Sequence, residues 1–243
     1  MPCYRPLKAW RTLDDTSKGK KAIVFQKSAN STHSLMLPCG QCIGCKLDRS
    51  LMWAIRCVHE SQLHTQNSFI TLTYAPEHLP QDGSLIKWHF QDFMKRLRKS
   101  FQHQKIKYYM CGEYSEGNNL EKFNRPHYHA CLFGIDFPDK ELLQEKEGIL
   151  LYSSTVLDNL WSHGHTSIGD VTFETAAYCA RYIQKKVTGQ NAEQHYYRTC
   201  DHTMNLIPVQ PEYSHMSNGI GKQWLAKYMT DIYPSDFAIY KGK

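Results

Sequence analysis

No stretch of the chain approaches the roughly 18 consecutive apolar residues of a membrane-spanning helix. The N-terminus is polar and lacks the apolar core of a secretory signal. No internal repeat stands out, so the chain is not read as a repeat array. The loop G-x₄-G-K-[ST] is missing too, which leaves no phosphate cradle for an NTP-driven unwinding motor. An even cysteine count is also lacking. There are nine, and an odd number without a secretory signal argues against a disulfide framework.

What is present suffices for a proper core. A chain of 243 residues is read as one elaborated domain. Its formal net charge is +6 and its pI about 8.7, a mild basicity that permits nucleic-acid binding without proving it. Lys87 to Lys107 holds Lys95, Arg96, Arg98, Lys99, Lys105 and Lys107, with Phe90, Phe93, Met94, Leu97 and Phe101 on a helical apolar face. Two readings stand: a solvated basic side of a surface helix, or sequence-blind contact with phosphates. Trp88 and the many tyrosines offer faces for unpaired bases. Lys18 to Lys21 and Ser28 to Ser34 look like mobile N-terminal stretches.

The sharpest pattern is His127-Tyr128-His129, inside a strand from Arg125 that ends at Gly134. Strand side chains alternate, so His127 and His129 share one face and Tyr128, Ala130 and Leu132 take the other. The preceding strand, Ile106 to Glu113, would enter a hairpin through the polar run Ser115 to Asn124 and bring Glu113 beside the histidines. Two imidazoles and a carboxylate with open positions suit Mn²⁺ or Mg²⁺ and the polarising of a phosphate oxygen. Ordinary strand histidines would show the same short pattern, and a non-haem iron oxygenase uses the same ligand types. A second such pair, His163-Gly164-His165, sits by a turn and is the weaker candidate.

Phe173 to Val187 has helical periodicity. At about 100° per residue, Phe173, Ala176, Ala177, Ala180, Ile183 and Val187 fall on one stripe. Tyr178 and Tyr182 lie roughly opposite it, neighbours at i,i+4. Aromatic pairs on helices are commonly core, but this core stripe is already filled and the tyrosines share their side with Lys185 and Arg181. A cation beside a phenol stabilises phenolate and binds phosphate, and tyrosine is a covalent nucleophile. The combination suits breaking and rejoining a phosphodiester.

Cys39, Cys42 and Cys45 form C-x₂-C-x₂-C. Tetrahedral zinc needs a fourth ligand, for which Cys3 is favoured and Cys57 is the alternative. An iron–sulfur cluster and free thiols opening a helix remain open. Cys111, Cys131, Cys179 and Cys200 are read as small buried apolar residues.

The element order is helix 43–64, strand 68–74, helix 87–101, strands 105–114 and 126–134, helix 156–161, strand 165–172 and helix 173–187. Turn chemistry at Ser217 to Gly221 precedes a short helix, 222–230. This order predicts an α+β fold, a mainly antiparallel central sheet flanked by helices. Thr71 and Thr73 share one strand face and border the histidine site.

Four stretches then resemble the HUH endonucleases, specifically the rolling-circle replication initiators of microviruses of gokushovirus type. They are Phe69 to Tyr74, Gly112-Glu113-Tyr114 with Arg125 to His129, Tyr178-Cys-Ala-Arg-Tyr182, and Pro38 to Cys45. The resemblance implies an RRM-like nuclease core over 66–190, a Cys-rich N-terminal segment and helix over 1–65, and a C-terminal extension over 191–243. It implies His127, His129 and Glu113 as ligands of Mg²⁺ or Mn²⁺. It also implies Tyr178 and Tyr182 as nucleophiles, Arg181 and Lys185 as phosphate-positioning cations, and structural Zn²⁺ on Cys3, Cys39, Cys42 and Cys45. Arg181 stands where many such enzymes have lysine. Candidate DNA contacts are Lys95, Arg96, Arg98, Lys99, Arg125 and Lys186. The implied partners are single-stranded origin DNA, a host helicase and a host DNA polymerase, with no membrane, in the cytoplasm of an infected bacterium. Other readings are a relaxase or transposase with the same chemistry, or a non-catalytic nucleic-acid-binding protein with a zinc module.

Overall fold

In the computed structural model, which describes residues 3–17, 19–116, 123–146, 148–187, 191–199 and 204–232, the chain parts into two compact units, Met1–Ser50 and Leu51–Lys243. The first unit holds β1 (Leu7–Asp15), β2 (Lys21–Val24) and β3 (Ser31–Leu37), an antiparallel sheet in the order β2-β1-β3. Leu7 faces Leu37 and Ala9 faces Leu35 across β1 and β3, and Ala9 is fully buried. Ser31 to Ser34, expected to be mobile, therefore run inside β3. Their polar side chains carry no strand signal of their own. What makes them a strand is pairing with β1, a contextual effect. Helix α1 (Ile43–Ser61) begins within the cysteine segment, with Cys45 in its first turn, and runs on past the boundary between the units.

The second unit continues with β4 (Asn67–Thr73), α2 (Lys87–Ser100), β5 (Lys107–Glu116), β6 (Phe123–Phe133), β7 (Glu141–Lys146) and β8 (Ile149–Ser153). Next come α3 (Thr155–Trp161), β9 (Thr166–Gly169), α4 (Phe173–Lys185), α5 (Asn191–His195), β10 (Tyr197–Thr199), β11 (Leu206–Pro208), β12 (Tyr213–Met216) and α6 (Lys222–Ile232). Seven strands form one sheet in the order β12-β5-β6-β4-β9-β8-β7, every pairing antiparallel. The expected α+β class with a mainly antiparallel sheet is what the chain adopts. The β7–β8 hairpin escaped the sequence reading. Adjacent Leu142 and Leu143 are both exposed, so the segment has no alternation to detect.

The sheet is covered on both sides, and the period of two decides what goes where. Ile70 and Leu72 of β4, Met110 of β5 and Tyr128, Ala130 and Leu132 of β6 pack against Phe90, Phe93, Met94 and Leu97 of α2 and Leu157, Leu160 and Trp161 of α3. On the opposite side Tyr109, Cys111, Cys131 and Phe133 meet Ala54 and Cys57 of α1 and Ala176, Cys179 and Ala180 of α4. Each large side chain buried here contributes on the order of 2 kcal/mol.

Helix α4 starts where Thr172 accepts from Thr175 N at 3.3 Å, while Thr175 Oγ1 accepts from Thr172 N at 2.9 Å, a reciprocal cap. Its buried line is Ala176, Cys179 and Ala180, so the stripe is turned toward Cys179 relative to the expected one. Three small side chains let the helix sit close on the sheet. Cys111, Cys131 and Cys179 are buried as expected, and Cys200 lies outside the described residues.

Candidate active site

Strand pairing sets the site. Glu113 lies directly opposite His127 in the β5–β6 ladder and Cys111 opposite His129, so the carboxylate and both imidazoles share one face. The hairpin tip, residues 117–122, lies outside the described residues. His127 Nε2 and His129 Nε2 each stand 2.9 Å from Glu113 Oε1. Candidate ligand atoms of Glu113, His127 and His129 all lie within 4.8 Å of one another.

The outer ring nitrogens are pinned. His127 Nδ1 donates to the Arg125 carbonyl at 3.1 Å, and His129 Nδ1 is 2.9 Å from Thr71 Oγ1. A carbonyl only accepts, so the His127 proton belongs on Nδ1 and the Nε2 lone pair points inward. Glu113 Oε2 is buried and has no hydrogen-bond partner among the described residues. Lone pairs and carboxylate oxygens gathered on one spot fit a divalent cation. Burial alone would raise the Glu113 carboxyl, but the adjoining His127 and His129 imidazoles outweigh it and hold it below the usual range. Burial lowers the His129 imidazole, against the pull of Glu113, which favours the neutral, ligating form.

Tyr128, between the two histidines, points to the other side. Its hydroxyl donates to Ile86 O at 2.9 Å and accepts from Ile86 N at 3.0 Å, with Tyr74 Oη 2.9 Å away. That anchors the loop after β4. Sequence reasoning placed Phe69 only inside a motif and gave it no role. Its ring stacks on His129 at 5.8 Å and 4° and meets Tyr178 edge-on. The signal was available, because Phe69 alternates with Thr71 and Thr73 on the same strand face.

Helix α4 carries Tyr178 to this face. Its hydroxyl donates to Glu113 Oε1 at 3.3 Å, and its ring lies 4.9 Å from His129, edge to face. Tyr182 and Lys185 are in the same helix, but their side chains lie outside the described residues. Arg181 is exposed and Lys186 half-buried.

The cations of α2 are elsewhere. The helix packs on the opposite face of the sheet from the histidines, through Phe90, Phe93, Met94 and Leu97. Arg96 donates to Leu160 O at 2.8 Å and Trp161 O at 3.2 Å. Arg98 lies over the Tyr108 ring, Lys95 pairs with Asp92 at 2.8 Å, and Lys99 is exposed. Arg125, by contrast, sits at the start of the histidine stretch and donates to Tyr74 O at 2.8 Å.

The second histidine pair is split. Gly164 has φ +152°, and a Cβ there would collide with the backbone of Ala75. That twist sends His163 to the α2 side, stacked on His89 at 4.2 Å. His165 stays opposite Thr73, whose amide and hydroxyl both bond its carbonyl.

In the N-terminal unit the sulfurs of Cys3, Cys39, Cys42 and Cys45 lie within 4.8 Å of one another, which makes Cys3 the fourth member. Cys57 is instead buried in the core beneath α4. Backbone amides point at the sulfurs: Cys39 N donates to Cys3 Sγ at 3.2 Å and Cys42 N to Cys39 Sγ at 3.3 Å. Amide donors from the Cys45 and Tyr4 backbone hold the Cys42 thiol down to about 6. The Cys3–Cys42 sulfur separation is 3.8 Å. Tetrahedral zinc with bonds of about 2.3 Å spaces its sulfurs by about 3.8 Å. The donor set fits a structural metal.

Fold and side chains together define an antiparallel-sheet protein with a two-histidine, one-glutamate site faced by a helical tyrosine. Residues 67–187 match the family model described as Replication-associated protein ORF2/G2P. The chain is 31% identical over 248 residues to replication-associated protein VP4 of Bdellovibrio phage phiMH2K, covering 98% of this chain and 72% of that one. It is 30% identical over 255 residues to replication-associated protein ORF2 of Spiroplasma virus 4, covering 97% and 73%. With replication-associated protein ORF4 of Chlamydia phage 1 it shares 34% over 218 residues, covering 86% and 51%. No solved structure matches the chain. The chain belongs to the family of phage replication-associated proteins, in agreement with the microvirus-type resemblance of its motifs.

Proposed function

We propose that this protein initiates rolling-circle replication by nicking single-stranded origin DNA through a tyrosine and later rejoining the ends. The observation that carries the reading is the Tyr178 hydroxyl, 3.3 Å from the carboxylate that both histidines surround. His127, His129 and Glu113 hold Mg²⁺ or Mn²⁺. The ion, when bound, polarises a non-bridging oxygen of the scissile phosphate.

The phenolic oxygen of Tyr178 or Tyr182 forms a bond to phosphorus and gives up its proton. The bond from phosphorus to the 3′ oxygen breaks, and that oxygen gains a proton. The protein then carries a 5′-phosphotyrosine, and the free 3′ hydroxyl primes a host polymerase. Bond energy is conserved, so attack by a 3′ hydroxyl on the phosphotyrosine closes a circle. A second tyrosine one helical turn away lets one hold an end while the other cuts. Arg181 and Lys185 steady the phosphate by charge, and Arg125 and Lys186 guide the strand. Lys95, Arg96, Arg98 and Lys99 give a sequence-blind contact remote from the chemistry. Zn²⁺ on Cys3, Cys39, Cys42 and Cys45 is structural. Unwinding falls to a host helicase, and the work is done in the cytoplasm of the infected bacterium.

The test is a covalent-adduct assay with Mn²⁺ or Mg²⁺ and labelled single-stranded oligonucleotides tiling the cognate circular genome. The expected result is a denaturation-resistant shift that requires the metal. Tyr178→Phe with Tyr182→Phe should lower it by on the order of 10³-fold or more. Persistent binding without any adduct in the metal-loaded native protein would instead favour a non-catalytic binding module. Adducts formed only on plasmid-transfer or transposon-end sequences would favour a relaxase or transposase.

A further inference from the structure

The first fifty residues carry all of the chain's net charge. They hold nine Lys and Arg against three Asp, a formal +6, which equals the +6 of the whole protein. The remaining residues hold twenty of each sign. Arg5, Lys8, Arg11, Lys20, Lys21 and Lys27 are all exposed, and none makes an ion pair among the described residues. Asp14 accepts from the Asn30 amide at 2.7 Å, and its charge is already counted in the +6. Four thiolates around one Zn²⁺ would subtract two charges and still leave this the basic unit of the chain.

Aromatic faces lie among the cations. Tyr4 is 58% and Phe25 59% exposed, and Lys8 Nζ stands 5.6 Å over the ring of Trp10. Tyr4, Arg5, Leu7, Gln41 and Ile43 line a cleft of about 560 Å³ beside the cysteine cluster, roomy enough for a base with its sugar. Cations that track a backbone, with aromatic rings between them, are the physical recipe for holding single strands without reading sequence. Like charges crowded into so small a unit repel one another, a cost that polyanion binding relieves.

We infer that the cysteine-clamped N-terminal unit is the protein's grip on single-stranded DNA, with phosphates on its exposed cations and unpaired bases on Tyr4, Trp10 and Phe25. The inference rests on the proposed function only in taking DNA as the partner, and binding is read without cleavage.

The experiment uses the full chain with zinc bound, no added Mg²⁺ or Mn²⁺, and a labelled oligothymidylate of about 30 nucleotides. Affinity is measured by fluorescence anisotropy from about 50 to 300 mM KCl. One variant neutralises Arg11, Lys20, Lys21 and Lys27 to Gln. A control of equal charge neutralises Lys87, Lys140, Lys222 and Lys227 to Gln, none of which is assigned a DNA contact. Each lost phosphate contact flattens the salt slope by about 0.7 for single strands. The first variant should flatten it by about 2 to 3 and weaken binding by about 10²–10³-fold at 0.1 M salt. The control should stay near the parent. Equal zinc content and an unchanged circular dichroism spectrum establish that both variants are folded. A parental slope in the first variant, or an equal loss in the control, overturns the assignment. So does tighter capture by anionic phospholipid vesicles than by the oligonucleotide at the same salt. If no covalent adduct ever forms but the slope still maps to residues 1–50, the grip stands and the nuclease reading falls. If an adduct forms while binding is indifferent to these cations, the nuclease reading stands and the grip falls.

Discussion

Thr71 has no place among the candidate ligands, yet its hydroxyl sets how the His129 ring is aimed, through the bond to Nδ1. Thr71→Val keeps the strand and removes that partner. Mn²⁺ affinity should fall by about 10–100-fold, read by electron paramagnetic resonance titration, with unfolding in urea nearly unchanged. Unaltered Mn²⁺ binding would mean that Phe69 stacking alone holds the ring. Tyr128 gives the converse. Tyr128→Phe leaves the Ile86 amide without its buried acceptor and should cost about 1–3 kcal/mol in urea denaturation. Its Mn²⁺ affinity should match the parent, because the hydroxyl is on the far side of the sheet. The alternation that separates these roles was legible in the sequence. That Thr71 would stand beside His129 was not, because it depends on β4 choosing β6 as its neighbour.

At the scale of elements, α1, β5 and the turn before α6 are joined by one buried carboxylate. Glu60 is fully buried and accepts from Lys107 Nζ at 2.7 Å, from Gly221 N at 2.8 Å and from His64 at 3.0 Å. Burial opposes its ionisation, but the Lys107 and His64 hydrogen bonds prevail and its carboxyl is held below the usual range. A carboxyl depressed in the folded state adds stability that is present above its unfolded pKa, near 4.5. That stability is lost as pH falls through the lower folded value. Acid unfolding should therefore shift in Glu60→Gln, with less stability lost between neutral pH and about pH 3 than in the parent. At pH 7, Glu60→Ala should cost about 3–5 kcal/mol, because Lys107 and the Gly221 amide lose their partner. An equal pH slope in parent and Glu60→Gln would show that the group does not titrate with folding. The turn Ser217 to Gly221 and the helix after it were legible from glycine and asparagine alone, and the helix runs two residues past the expected end. The carboxylate waiting for Gly221 comes from far away in the chain and left no local mark.

For the whole molecule the two units should separate in their dependence on metal. A chelator that strips the proposed zinc would remove the clamp on Cys3, Cys39, Cys42 and Cys45, and among the described residues a small sheet with little more than Ala9 in its interior has few other supports. Limited proteolysis after chelation should cut first within residues 1–50, while the seven-stranded unit keeps its circular dichroism and its urea transition. Cleavage spread evenly over both units, or no change in protection, would count against a structural metal.

The sequence alone determined whatever depends on near neighbours. A period of two put His127 and His129 on one face and Tyr128 on the other. A period near 3.6 made α4 a helix, and C-x₂-C-x₂-C presented three thiols together. Tertiary structure decided what depends on which distant segments meet. It brought Glu113 opposite His127, turned α4 so that Cys179 packs down while Tyr178 reaches the carboxylate, and chose Cys3 over Cys57 as the fourth thiol. It also set the basic helix α2 on the face away from the histidines and made a sheet of residues 7–37. Side-chain periodicity is a property of a single backbone segment. Strand neighbours, helix faces and metal-ligand sets are chosen by burial and pairing across the whole chain.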